Sequence, residues 1–334
     1  AESRVPYRIR VRVLRGDGQV IHAICTGQMV RDDAGRPLRL WGTVQDVTEQ
    51  FAMQQSHREA LRQAERAVAD LEAERAALQM VQRALLPATV PAPPGAELAV
   101  AYRPVEDVVE VGGDWYDAFA LPDGRIAVAV GDVAGHDLRA AIVMGQIRNA
   151  LRAYAMEDPR PGHVLLRANN LLMALPDSDL VTAVFGTYDP RTSELTLARA
   201  GHPQPLLRRS GRTTVLAEPR GIVLGAVPLA QPYDEASLVL GGGDAMLLYT
   251  DGLVERRGGD TMVATARLCA LVDGVPASAS AADIVSEVTR RMIDTVRIED
   301  DVCLLVLHRP AVPTPVRRRS TARMVTGART GSPA

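Results

Sequence analysis

Four aspartates stand where apolar runs give out: Asp114 in VGGDWYDAF, Asp132 in AVGDVAGHD, Asp251 in LLYTDGLVE and Asp300 in EDDVCLLVL. Singly, each is an ordinary turn former. Separated by 18, 119 and 49 residues, they are placed so that one rim of a folded sandwich could gather all four. Like charges about 5 Å apart repel by about 3 kcal/mol per pair at an effective dielectric of 20, so such a rim needs cations. No cluster of His or Cys accompanies them, and oxygen-only ligands favour Mg2+ or Mn2+ over zinc. Gly112, Gly113, Gly131 and Gly252 lie beside the acids and would let backbone approach an ion. Two ions about 3.5 to 4 Å apart would activate a bridging water and hold a phosphoryl group for in-line attack, giving hydrolysis without a phosphoenzyme.

The chain that must position these acids has 334 residues, 47% of them hydrophobic, and a net charge of -2, the profile of globular material with room for two or three domains. Its basic residues are all Arg, and 38 of them against 40 acids, with 4% aromatics, argue against a nucleic-acid surface of basic patches and stacking platforms. Apolar runs such as IAVAV and CLLVL fall far short of the roughly 18 to 20 residues of a membrane helix. The opening AESRVPYRIRVRV alternates and has no signal-peptide core. Cys25, Cys269 and Cys303 lack metal-ligand spacing. The expectation is a cytoplasmic protein with reduced thiols that binds neither nucleic acid nor membrane.

Residues 7 to 14 put Tyr7, Ile9, Val11 and Val13 on one side of a strand and Arg8, Arg10 and Arg12 on the other. Turns at RGDGQ and RDDAGRP separate it from two further strands, VIHAICTGQMV and LRLWGTVQDVT. Three strands cannot close a core alone, so this sheet is expected to fray or to pair with another chain. Asp46 and Glu49 have capping-box spacing, and the Gly- and Pro-free stretch to Leu86 predicts a helix of some 38 residues, a rod of roughly 57 Å. Leu61, Ala64, Val68, Leu71, Leu78 and Leu85 form a heptad seam interrupted by Arg75 and Gln82, which predicts a parallel two-stranded coiled coil and a homodimer, the alternative being one amphipathic helix lying on a domain.

The prolines of LLPATVPAPPG end the rod. Beyond it ELAVAYRPV, WYDAFAL, RIAVAVGDV, VTAVFGTYD, ELTLARAG, ASLVL, AMLLYTDG and DVCLLVLH read as strands, and 136 to 155, 161 to 175 and 281 to 297 as helices. Strands in hairpins and helices in long blocks predict α+β architecture, antiparallel sheets covered by helices. Past Pro310 the chain carries five Arg and no acid in a Pro-, Thr-, Ser- and Gly-rich stretch, a disordered basic tail by composition.

Two resemblances sharpen these expectations. Gly42, Thr43, Asp46, Val47, Thr48 and Glu49 match the G-T-x-x-D-[IV]-T-E ending of a PAS sensor domain, whose front half would lie upstream of residue 1. Further on, VGGDWYDAF, GDVAGHDLRAA, ARAGHPQPLLRR, LLYTDGLVERR and DDVCLLVL follow the order and intervals of the SpoIIE/RsbU-type branch of the metal-dependent, phosphatase 2C-like protein phosphatases. This resemblance covers about residues 80 to 308, including LQMVQRALLPATVP. Trp115 and Tyr116 after GGD exclude a diguanylate cyclase, which requires Glu-Phe there.

The resemblance implies an α-β-β-α sandwich that removes phosphate from Ser or Thr, usually on a small STAS-class anti-anti-sigma factor, with two Mn2+ or Mg2+ ions. Carried over by position, Asp132 bridges both ions with the Val133 carbonyl as a further ligand, and Asp114, Asp251 and Asp300 complete the carboxylate shell. Asp301 stands behind them with Gly113, Gly252 and His202, although the EDD run allows Asp300 and Asp301 to exchange roles. His136 and His202 are candidates for the general acid, a hydrogen bond that holds a loop being the commoner role of such a histidine. Asp137 replaces the second glycine of the family's GHG, and Arg103 and Arg139 are the candidates for a phosphate-binding arginine. The implied organisation is a partial PAS domain (1–48), a helical linker (49–88), the phosphatase domain (89–310) and a basic tail (311–334). The rivals are a catalytically silent module of the same fold that sequesters a phosphorylated regulator, which retention of all four acids disfavours, and a phosphohydrolase of small esters.

Overall fold

The computed structural model describes residues 6–105, 112–135, 138–175, 179–256, 258–294 and 299–311. The basic tail from residue 312 onward lies outside them, as do the side chains of the seam positions Arg75, Leu78 and Gln82. The chain divides into two compact units, Ala1–Ala76 and Ala77–Ala334.

In the first unit β1 (Pro6–Leu14), β2 (Val20–Arg31) and β3 (Pro37–Asp46) form an antiparallel meander in sequence order. The predicted apolar side of β1 is only partly covered: Val11 and Val13 are half-buried, while Tyr7 and Ile9 stay exposed. The cause is the small number of layers, since three strands present a face without a second sheet to close it. Asp46 Oδ1 accepts from the Thr48 amide at 2.9 Å and its hydroxyl at 2.6 Å, and α1 (Thr48–Leu85) starts there. The exposure of Leu61, Val68 and Leu71 leaves the seam of α1 open within one chain.

The second unit is a sandwich of two five-stranded antiparallel sheets. One has the order β10 (Arg212–Val215), β9 (Leu206–Arg209), β12 (Ala245–Tyr249), β13 (Val302–His308) and β4 (Glu97–Arg103). The other runs β11 (Glu235–Val239), β8 (Glu194–Ala200), β7 (Val181–Asp189), β6 (Ile126–Val133) and β5 (Trp115–Ala120). Helices α2 (Leu138–Glu157) and α3 (Pro161–Ala174) cover the second sheet, and α4 (Thr261–Asp273) and α5 (Ala281–Val288) cover the first. The layers are therefore α-β-β-α.

The central strands are apolar on both faces because both faces are buried. In β6, Val128 and Val130 face the other sheet while Ala127 and Ala129 face the helices; in β13, Cys303, Leu305 and Leu307 face the other sheet, and Leu304 and Val306 the helices. At about 25 cal/mol per Å2 of apolar area, this double burial supplies the main drive to fold.

Boundaries move modestly from expectation. The helix predicted from 136 is described from Leu138, and the one predicted for 281 to 297 is α-helical only to Val288, then widens into a turn over Thr289–Ile293. The β9–β10 hairpin and α4 were not anticipated. A capping box between Ser280 and Asp283 starts α5, and Asp260 starts α4 by accepting from the Met262 and Val263 amides. Among the described residues no helix is long and apolar enough to cross a membrane. All three cysteines are free thiols.

Candidate metal centre

Three of the four strand-end acids meet. Asp114 at the entrance of β5, Asp132 near the end of β6 and Asp251 just after β12 each offer a carboxylate oxygen, all within 4.8 Å of one another. They converge because β5 and β6 pair with Trp115 opposite Gly131, and the facing sheet brings the end of β12 to the same rim.

Each acid is held by an identifiable support. Thr250, fully buried, donates its hydroxyl to Asp114 Oδ2 at 2.6 Å and accepts the Cys303 amide at 2.8 Å, so the β12–β13 ladder fixes the Asp114 rotamer. Asp132 pairs across the ladder with Thr182, whose hydroxyl shares a 2.8 Å hydrogen bond with His202 Nδ1. Asp251 opens a short helical turn, Asp251–Leu253, in which its carbonyl accepts from the Val254 and Glu255 amides.

The two acids of the last motif divide their roles. Asp300 is exposed and lies outside the tight trio, and its charge acts on Asp132 and Asp251. Asp301 is buried and turned toward β4: it accepts from the Tyr102 hydroxyl at 2.8 Å and the Val105 amide at 2.9 Å. Burial and the adjacent Asp301 carboxylate push the Tyr102 hydroxyl far up, so it stays a donor.

Without cations this rim resists ionisation. Burial, then the Asp132 charge, raises Asp114 well above the carboxylate range. Burial, then Asp251 and Asp300, raises Asp132 to about 7. Burial, then Asp300, raises Asp251. A divalent cation reverses each cause by supplying the opposite charge, and a trio of oxygen ligands matches the hard ions Mg2+ and Mn2+. The residues present therefore fit the metals expected.

The remaining expected positions are placed unevenly. A methyl group on Gly113 would strike the Val133 carbonyl oxygen, and one on Gly252 would strike the Asp301 carbonyl. The room beside Gly112 is filled by the Asp301 carboxylate, and that beside Gly131 by the Trp115 ring and the Thr182 carbonyl, so these two glycines admit protein atoms rather than an ion. His202 is buried and pushed down to about 3 by desolvation; it is a neutral brace behind Asp132 and unsuited to donate a proton. His136 and Asp137 lie outside the described residues. Arg103 is exposed and bonded to the Tyr102 carbonyl, and Arg139 pairs with Asp179.

Thr250 and Tyr102, hydroxyls bonded to acids far away in sequence, were not anticipated. Neither was Asp117. This buried acid sits on the helix-facing side of β5 between Trp115 and Phe119, clamped by Arg152 of α2 through two bonds of 2.7 Å, with Arg148 one turn away at 3.5 Å. The Arg152 guanidinium also lies 4.6 Å from the centre of the Phe119 ring. The pair at 148 and 152, i and i+4 on α2, was the available signal.

Comparison with known proteins places this geometry. The family model described as Stage II sporulation protein E (SpoIIE) matches residues 122–310. The phosphoserine phosphatase RsbU of Bacillus subtilis is 27% identical over 235 residues, covering 69% of this chain and 68% of that protein. The RsbU and RsbW domains of Rv1364c from Mycobacterium tuberculosis are 34% identical with a TM-score of 0.60, over 69% of this chain and 64% of that one. The PP2C phosphatase domain and regulatory fragment of B. subtilis SpoIIE, at 17% identity, share the fold with a TM-score of 0.55, over 64% of this chain and 63% of that one. The acidic rim, the sandwich and these matches together establish that the chain belongs to the SpoIIE family of PP2C-type serine/threonine phosphatases.

Proposed function

We propose that the chain is a Mn2+- or Mg2+-dependent protein phosphatase whose substrate is a phosphoserine or phosphothreonine on a small STAS-class anti-anti-sigma factor. The observation that carries this reading is the convergence of Asp114, Asp132 and Asp251 in a chain of this family. Two divalent ions held there would supply positive charge for the phosphoryl oxygens and an activated water for attack on phosphorus.

The chain's own residues hold and orient. Asp132 interacts with both Asp114 and Asp251, which suits it to a central place among the residues that would hold the ions; the Val133 carbonyl beside Gly113 and the Asp300 carboxylate would join them. Thr250 fixes Asp114, and neutral His202 steadies Thr182 behind Asp132. Protonation of the leaving Ser or Thr oxygen is assigned to His136. Upstream, the meander is read as the output half of a PAS sensor and α1 as a dimerising linker. Replacing Leu71 and Leu78 with polar residues tests that part, and an unchanged oligomeric state and activity would discard it.

The main test measures p-nitrophenyl phosphate and a phosphoserine protein with Mn2+, Mg2+ or EDTA, with Asp132→Asn as control. Metal-dependent turnover of both, lost in the variant, is expected. No turnover of either would favour the silent binding module, and turnover of the small ester alone a small-molecule phosphohydrolase.

A further inference from the structure

The short turn that carries Asp251 also forms one wall of a cavity of about 360 Å3, closed on the other side by the first turns of α4. Its floor is apolar: Leu253 and Val254, two and three residues past Asp251, are buried, as is Met292. Val263 of α4 lines it while remaining 64% exposed. A large aliphatic side chain left half open beside a concave apolar floor marks a contact surface rather than a finished core.

The rim of this cavity is positive. Arg256 is held in place by the carbonyls of Gly252 and Glu255, each at 2.6 Å, and of Met292 at 3.5 Å, and pairs with no carboxylate among the described residues. Arg267 is exposed on α4 and makes no hydrogen bond or ion pair among the described residues. Asp260 also lines the cavity, but its Oδ1 accepts from the Met262 amide at 2.8 Å and the Val263 amide at 3.4 Å, which directs its charge to the N-terminus of α4. Two guanidiniums without acidic partners among the described residues therefore border an apolar hollow one short turn from Asp251 of the acidic trio.

We propose that this cavity is a substrate-docking subsite: it takes an apolar side chain flanking the phosphorylated residue, while Arg256 and Arg267 pair with an acid on the same segment. The inference rests on the phosphatase reading above and names what that site recognises beyond phosphate. Charge complementarity selects the occupant, because a phosphorylated segment with a neighbouring acid is anionic, and the rim offers the exposed Arg267 guanidinium with the carbonyl-bound Arg256 charge beside it. A basic or wholly polar segment would leave both the hollow and the guanidiniums unsatisfied.

The test uses the full chain with Mn2+ and three phosphoserine peptides that carry Leu-Glu, Leu-Arg or Ala-Ala within three residues of the phosphoserine, with p-nitrophenyl phosphate as a probe of the metal centre alone. The Leu-Glu peptide is expected to exceed both Leu-Arg and Ala-Ala by about tenfold in kcat/KM, through KM. Arg267→Glu should remove that advantage over Leu-Arg and Val263→Asp that over Ala-Ala, with p-nitrophenyl phosphate turnover and thermal midpoint unchanged. Equal kcat/KM for the three peptides, or variants that leave the preference intact, overturns the subsite while small-ester turnover keeps the phosphatase reading. No turnover of any substrate overturns both. A parallel fall on peptide and small ester also overturns the subsite, because it places the variants' effect on the metal centre.

Discussion

Removing divalent metal should make the protein less stable as pH rises from about 4 to 7, the reverse of ordinary acid denaturation, and Asp132 should carry much of the effect. Its carboxyl is raised from 3.8 to about 7 by burial and by Asp251 and Asp300. In the unfolded chain the same carboxyl ionises near its ordinary value, so between those limits the unfolded state has lost a proton that the folded state keeps. A folded-state value above the unfolded one contributes stability that is complete below the lower value and lost as pH climbs through the higher. The displacement from 3.8 to about 7 corresponds to on the order of 4 kcal/mol at about 1.4 kcal/mol per pH unit. Asp114 and Asp251, both raised, act in the same direction.

The assay is urea unfolding in EDTA from pH 4 to 8, following the fluorescence of buried Trp115, for the natural chain and Asp132→Asn. The stability difference between the two should be small near pH 4 and grow in favour of the variant toward pH 8. Adding Mn2+ should invert the trend for the natural chain, since carboxylates must lose protons to bind it and affinity therefore rises with pH. A difference between the two proteins that stays constant with pH, or Mn2+ stabilisation independent of pH, would refute this account of the rim.

The two neighbouring acids should separate cleanly: Asp301→Asn loses charge-assisted bonds from Tyr102 and Val105 and should cost about 1.5 to 3 kcal/mol in denaturation, whereas Asp300→Asn should stay within about 0.5 kcal/mol and lower Mn2+ affinity in calorimetry. Thr250→Val keeps the volume but strands the Asp114 carboxylate and the Cys303 amide, a loss of about 2 to 4 kcal/mol by thermal unfolding, accompanied by weaker metal binding. Gly113→Ala drives a methyl group into the Val133 carbonyl and should cost about 1 to 3 kcal/mol, with Mn2+ affinity reduced in the same preparation. Asp117→Asn leaves Arg152 and Arg148 facing a neutral partner and should cost about 3 to 5 kcal/mol; replacing all three with apolar residues of similar volume should cost less, which a mutant cycle would check.

What the sequence disclosed follows from physical periodicity. IAVAV and CLLVL could be recognised as strands because burial on both faces removes polar residues from the whole run, and the acids that end such runs mark the rim where strands stop. Asp114, Asp132 and Asp251 were legible for that reason. Thr250 was not, because a threonine beside an aspartate has no local pattern; its role depends on β13 lying beside β12. Asp300 and Asp301 could not be told apart by spacing, since one residue of slip in a strand exchanges its two faces. Helix α4 was missed although Asp260 before Thr261 is an N-cap signal, because the glycines preceding it read as the continuation of a loop. The β9–β10 hairpin was obscured by the prolines of the GHPQP approach and by strands of only four residues each.

Arg148 and Arg152 lie a single turn apart on α2, opposite one carboxylate embedded between two aromatic rings. An apolar helix-sheet contact carries no mark of position along the strand, but this one is centred on a single side chain. Arg152 at 2.7 Å and Arg148 at 3.5 Å reach Asp117 together, so two successive turns of α2 are tied to one point on β5.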